Sequence, residues 1–150
     1  MLQKFATMGS GKVIDNGILL AEVGRILSIG DDVELLTKGN SMLPFIKGDK
    51  DSVRLRKMPS VKVGDIVLGE VAPARYVLHR VVRLEGDTVI LMGDGNLRAE
   101  ESLPRERILG TVVEIIRPSG KRVRPSDGSL WRKLMPFRRI ILGIYRRLFI

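Results

Sequence analysis

The sequence predicts a mainly β domain preceded by one amphipathic helix and followed by a basic amphipathic helical tail. Three observations lead there. Apolar residues recur at helical spacing only near the two ends of the chain. Between them run short segments rich in Val, Ile and Leu, set apart by Gly-Asp and Pro signals. The charge is also unevenly placed: of 26 Lys or Arg and 17 Asp or Glu in 150 residues, 16 of each fall in residues 1–116, while residues 117–150 hold 10 bases and the single acid Asp127. The body therefore reads as a neutral domain, and the formal net charge of +9 belongs to the tail.

Residues 1–12 show no period and are given no fold role. From Ile18 through Leu19, Val23, Ile26 and Leu27 the spacing predicts a helix over 17–29, with Asn16 as N-cap and Gly30 as the stop. Strands are predicted at 32–38, 52–56, 65–72, 76–84, 87–92 and 108–116, with Gly86-Asp87 as a hairpin turn. The last of these, carrying Leu109, Val112, Val113, Ile115 and Ile116, reads as a buried closing strand. Pro118, Gly120, Pro125 and Gly128 mark a linker. Beyond it Pro136 should separate a short helical turn from a helix over about 136–148. Three parts follow: an N-terminal segment 1–30, a domain 31–117, and a linker with tail 118–150.

Composition removes several chemistries. There is no cysteine and one histidine, which excludes disulfide frameworks, iron–sulfur clusters, thiol catalysis and Cys/His zinc sites. Neither a metal nor a cofactor is expected, so catalysis would have to come from Ser, Lys, Asp, Glu, Tyr or His79. No apolar run approaches the roughly 18 residues needed to cross a bilayer, and the N-terminal stretch lacks the apolar block of a secretion signal. A cytoplasmic location is the expectation.

The stretch TKGNSMLPFIKGD, residues 37–49, is the most informative. Ser41 follows Gly39 and Asn40, which tolerate unusual backbone angles, and precedes Met42 and Pro44. A serine on such a bend can present its hydroxyl clear of a sheet, with backbone N–H groups converging as an oxyanion hole. The plain reading is a turn serine, and residue types alone do not separate the two.

The segments GNSMLPFIKGD, KVGDIV at 62–67, VLHRVV at 77–82 and LMGDGN at 91–96 together resemble the superfamily of signal peptidases and LexA-like self-cleaving proteins, over about residues 32–116. The resemblance implies a coiled antiparallel β-sheet fold with a groove for an extended peptide, and peptide-bond hydrolysis by a serine. It is nearest, at Leu78-His79-Arg80-Val81, to the endoplasmic-reticulum and archaeal type, whose base is a histidine rather than a lysine. Carried over on that basis, Ser41 is the nucleophile, His79 the general base and Asp94 the carboxylate that orients His79. Histidine suits this part because its ordinary pKa lets it take a serine proton near neutrality, whereas a lysine must first be desolvated.

Other residues take lesser parts. Asp94-Gly95 is also a hairpin signal, and Asp87 is a second candidate carboxylate in what reads as a plain turn. Met42 and Pro44 line the candidate substrate groove, with core filler and bend as their plainer roles; Asp49 and Asp65 read as turn caps. Gly39 stands where signal peptidases often carry a serine hydroxyl, so the oxyanion hole would rest on the backbone amides of Ser41 and Asn40. Signal peptidases also carry a membrane anchor ahead of the catalytic box. The helix at 17–29, with Glu22 and Arg25, is too short for that. The forty residues before Ser41 contain neither a helix-turn-helix nor an Ala-Gly junction, which argues against a self-cleaving repressor.

The tail allows three readings. It could lie on an anionic membrane at the inner face, with Trp131, Arg138, Arg139, Arg146 and Arg147 toward the lipid. It could pack on the body and solvate its arginines. Contact with nucleic-acid phosphates through charge alone is the weakest of the three. The leading expectation is a serine endopeptidase acting on a peptide or protein precursor; its rival is a catalytically inactive module of the same fold that binds peptide or docks to a membrane.

Overall fold

The computed structural model describes residues 16–96 and 99–150; the reading of residues 1–12 lies outside them. Helix α1 spans Asn16–Ser28, followed by strands β1 Val33–Leu36, β2 Ser52–Arg56, β3 Ile66–Ala72, β4 Arg75–Glu85, β5 Thr88–Met92, β6 Glu100–Pro104, β7 Ile108–Ile116 and β8 Arg122–Val123. The tail holds α2, Ser129–Lys133, a 3₁₀ turn at Met135–Phe137, and α3, Arg138–Phe149.

The protein is thus mainly antiparallel β with a helix at each end. All eight strands belong to one sheet, ordered β1-β2-β7-β3-β4-β5-β6, with β8 hydrogen-bonded to β7 outside that path. Strand β7, expected to close the sheet, does so from its middle by inserting between β2 and β3. Register breaks at Arg54/Leu55, Leu68/Gly69, Glu70/Ala72 and Val81/Arg83 bend the ladder, as unpaired residues do. The sheet curls enough that Leu103 of β6 stands on Gly69 of β3, where an added Cβ would come within 2.7 Å of a leucine methyl.

Two strands escaped the sequence reading. Strand β6 reads Glu-Glu-Ser-Leu-Pro and buries only Leu103; its acids and proline suit an edge, which needs no alternating apolar face. Strand β8 is two residues inside the expected linker and pairs Val123 with Ile115. Strand β1 is shorter than expected because the ladder stops at Thr37: its amide still donates to Asp51 O at 3.0 Å, but Asp51 donates its own N–H to Lys47 O at 2.9 Å and the Thr37 carbonyl accepts from Asp49.

Two apolar cores flank the sheet. One holds Leu20, Val23 and Leu27 of α1 with Met42, Leu68 and Leu78, and the other holds Val67, Val77, Val81, Leu91 and Leu103. Six consecutive residues of β4, Tyr76 to Val81, are buried, because the strand has a core on each side. Odd positions point into the second core and even positions into the first. His79 and Arg80 therefore leave β4 in opposite directions.

The tail folds back onto the body. Trp131 and Leu142 pack on Leu43, and the Trp131 ring meets Phe45 edge-on at 6.0 Å. Trp131 and Arg138 are only 5% and 4% exposed, which corrects the expectation that they face a membrane. Their side of the tail is the docked one. Arg139, Arg146 and Arg147 are exposed.

Candidate active site

Ser41 lies on the connection from β1 to β2, residues 37–51, and the sequence closes that connection at its neck. Asp49 donates its N–H to Thr37 O at 2.7 Å, and the Thr37 hydroxyl donates to Asp51 O at 2.8 Å. The buried Asp51 carboxylate accepts from the Lys47 amide at 2.8 Å and from Arg117 at 2.6 Å. Inside the loop, the Met42 carbonyl accepts the amides of Phe45 and Ile46, both at 3.0 Å, and Leu43–Pro44 is a cis peptide. Met42 and Leu43 are fully buried in two different clusters, so the bend is pinned from both sides. Ser41 stays half-buried beside an exposed Asn40. Met42 therefore cannot line a substrate groove: its side chain belongs to the core, with its sulfur 3.5 Å from the Asp94 amide. Pro44 is half-buried. Of the expected turn caps, Asp65 accepts the Lys62 amide at 2.9 Å, whereas Asp49 sits at φ 65° and pairs with Lys38.

The bend rests on Gly93-Asp94-Gly95. Gly95 donates its N–H to Ser41 O at 2.8 Å. A Cβ at Gly93 would lie 2.5 Å from that same carbonyl oxygen and 3.1 Å from His79 Nε2; one at Gly95 would lie 2.6 Å from Asn40 O. Both clashes are with backbone, which cannot swing aside. The two glycines thus admit the serine bend, and at Gly93 the bend and the imidazole share one small volume. Gly93→Ala is expected to lower stability by about 1–3 kcal/mol, as overpacking at a close backbone approach does, and to displace Ser41 from His79. A thermal melt shows the first, and loss of reactivity of Ser41 toward a serine-directed fluorophosphonate shows the second.

His79 is 1% exposed. It lies on β4 just beyond the last β4–β5 pair, Arg80 with Met92, and next to Gly93. Its Nδ1 is 2.9 Å from Glu101 Oε2 on β6, and the glutamate side chain is 14% exposed. A carboxylate at Nδ1 holds the proton there and leaves Nε2 as a lone-pair acceptor. That Nε2 is buried and has no hydrogen-bond partner among the described residues. The Ser41 hydroxyl is accordingly not bonded to it in this conformation.

Asp94 does not orient His79. Its carboxylate takes both prongs of Arg80, Nε to Oδ1 at 2.8 Å and Nη2 to Oδ2 at 2.7 Å, in a pair whose side chains are 1% and 4% exposed. Arg80 Nη1 donates to Gly64 O at 2.8 Å and Ser126 O at 2.7 Å, so the guanidinium is well saturated. The reason is strand parity: a carboxylate that meets Arg80 is on the far side of β4 from His79. Glu101 takes the position the sequence assigned to Asp94. Asp94 instead ties down the tail through its carbonyl, which accepts the Trp131 indole N–H at 2.9 Å. Nearby, Arg138 stacks over Trp131, 5.9 Å to the ring centroid. Burial lowers the pKa of its guanidinium, and the charge of Asp94 opposes that shift.

A cavity of about 500 Å³ lies elsewhere, between β2, β7 and residues 58–66, lined by Arg54, Arg56, Lys62, Arg124 and Asp127 among others. Neither Ser41 nor His79 borders it. No cluster of His, Cys, Asp and Glu able to hold a metal occurs among the described residues. Comparison with known proteins matches no family model, no curated protein and no solved structure.

Proposed function

We propose that the protein is a serine endopeptidase, of the kind the signal peptidases and LexA-like proteins exemplify, acting on a peptide or protein precursor. One observation carries the reading: the lone histidine is anchored through Nδ1 to Glu101, while its buried Nε2, beside the bend that bears Ser41, has no hydrogen-bond partner among the described residues. An unpaired buried acceptor costs about 1–3 kcal/mol, which makes it a place to look for a task.

In the proposed reaction the Ser41 hydroxyl turns onto Nε2 as substrate binds; catalytic hydrogen bonds commonly tighten only then. Ser41 Oγ bonds to the carbonyl carbon as its proton passes to Nε2. The intermediate's oxyanion is taken up by backbone amides, with those of Ser41 and Asn40 as candidates. Collapse breaks the C–N bond, His79 returns the proton to the leaving amine, and water then frees Ser41 by the same route. Glu101 keeps the tautomer and stabilises the imidazolium. The tail belongs to the same proposal, as the part that would keep the enzyme at the surface of an anionic membrane. No helix among the described residues is long and apolar enough to cross one.

The test compares wild type with Ser41→Ala and His79→Ala, using a fluorophosphonate probe and a mixed peptide library read by mass spectrometry. Wild type is expected to label and to cleave, Ser41→Ala to do neither, and His79→Ala to react about 10²–10⁴-fold more slowly. A wild type that neither labels nor cleaves would leave the rival, a peptide-binding module of the same fold. That rival draws on the missing Ser41–His79 hydrogen bond.

A further inference from the structure

We infer that α3 is a two-sided connector, latched to the body on one side and seated in an anionic bilayer on the other. This deepens the membrane part of the reading above and rests on it, while remaining independent of any chemistry at Ser41.

On the latched side Trp131 and Leu142 pack on Leu43, and Lys47 Nζ sits 5.5 Å from the Tyr145 ring centroid. The other side is apolar and uncovered. Phe137, Ile140, Ile144 and Leu148 are 58%, 63%, 55% and 70% exposed. Spaced three or four apart, they form one ridge along the helix. Such a line of large apolar side chains is unusual on a free surface and marks a place where something docks.

Charge selects the occupant. Arg147 is exposed at the flank of the ridge and Arg139 and Arg146 are exposed further round the helix, and residues 128–150 contain no acid at all, whereas residues 1–116 are balanced. Attraction is therefore confined to the tail and directed at an anionic surface. A second copy of this helix would set like charges against each other. Nucleic acid would use the arginines and leave the ridge in water. An anionic bilayer satisfies both, with arginines at the headgroups and the ridge in the acyl boundary. Since the Ser41 bend packs on the latched side, it would ride about one helix diameter, roughly 10 Å, from the lipid.

The experiment uses the full chain carrying Ser41→Ala, so that its outcome does not depend on peptidase activity. Sedimentation is measured with vesicles of equal parts phosphatidylglycerol and phosphatidylcholine, and with phosphatidylcholine alone. The expected result is binding to the anionic vesicles only, weakened at least tenfold by Ile144→Asp and again by the paired change Arg146→Glu, Arg147→Glu. Emission from the single tryptophan, Trp131, reports the latch and should be unchanged on binding. Unaltered emission in buffer shows that each variant is still folded, and Phe137→Ser serves as a second ridge variant. Equal vesicle binding by both ridge variants would overturn the proposal. So would a Trp131 shift showing that the tail undocks, tighter binding to duplex DNA than to vesicles, or a dimer that Ile144→Asp dissociates.

Discussion

Replacing Glu101 by Gln should slow the reaction of Ser41 by about two to four decades and leave the fold standing. The carboxylate at His79 Nδ1 can only accept, so it fixes a proton on that nitrogen and leaves Nε2 able to take the serine proton. An amide of the same size can donate instead, which favours the opposite tautomer. Nε2 then carries the hydrogen and cannot act as base, and the imidazolium formed in the reaction loses its counter-charge. In serine proteases the equivalent exchange costs about 10⁴ in turnover. The stability loss should be small, about 1 kcal/mol, because the Gln side chain keeps the packing and one hydrogen bond in a position that is 14% exposed. The measurement is the second-order rate of fluorophosphonate labelling, set beside a thermal melt of the same sample. Labelling at the wild-type rate would remove Glu101 from the mechanism.

The contrast between Glu101 and Asp94 shows where sequence reasoning stops. Helix α1 and strands β2 to β5 and β7 were legible within a residue or two, because buried apolar runs between Gly-Asp turns allow few alternatives. Ser41 and His79 could be singled out through the resemblance that their segments carry, and the structure brings those segments together across Gly93. The partner carboxylate could not be found that way. Glu101 lies on an edge strand that buries one residue in five, so no hydrophobic pattern announced β6. Without β6 there was no register to place an acid two strands from His79. Asp94 follows from the resemblance of its Gly-Asp-Gly-Asn segment, yet its side is set by strand parity, and the neighbouring Arg80 is the group it meets. The tail shows the same limit. Its amphipathic period was plain, but the period does not say which apolar stripe meets the body. Trp131 and Arg138, chosen for chemistry suited to lipid, turned out to be the docked ones.

Asp94→Ala should be the most destabilising change at the site, at about 3–5 kcal/mol, without acting on the imidazole directly. The Arg80 guanidinium is 1% exposed and the Asp94 side chain 4%, so removing the carboxylate leaves a buried cation without its hydrogen-bonded counter-ion. For a chain of this length that corresponds to a fall in melting temperature of about 10 °C. Part of the loss is structural in a wider sense, since the same guanidinium holds Gly64 O and Ser126 O and thereby fixes two loops around β4. Combining Asp94→Ala with Arg80→Met separates the terms. With the stranded charge gone, the double variant should be more stable than Asp94→Ala alone, yet still short of wild type because the two carbonyls lose their donor. Below the new melting temperature Ser41 should still react with fluorophosphonate, since Glu101 and His79 keep their contact. An Asp94→Ala protein that melts like wild type but no longer labels would reverse this assignment and return Asp94 to the catalytic group.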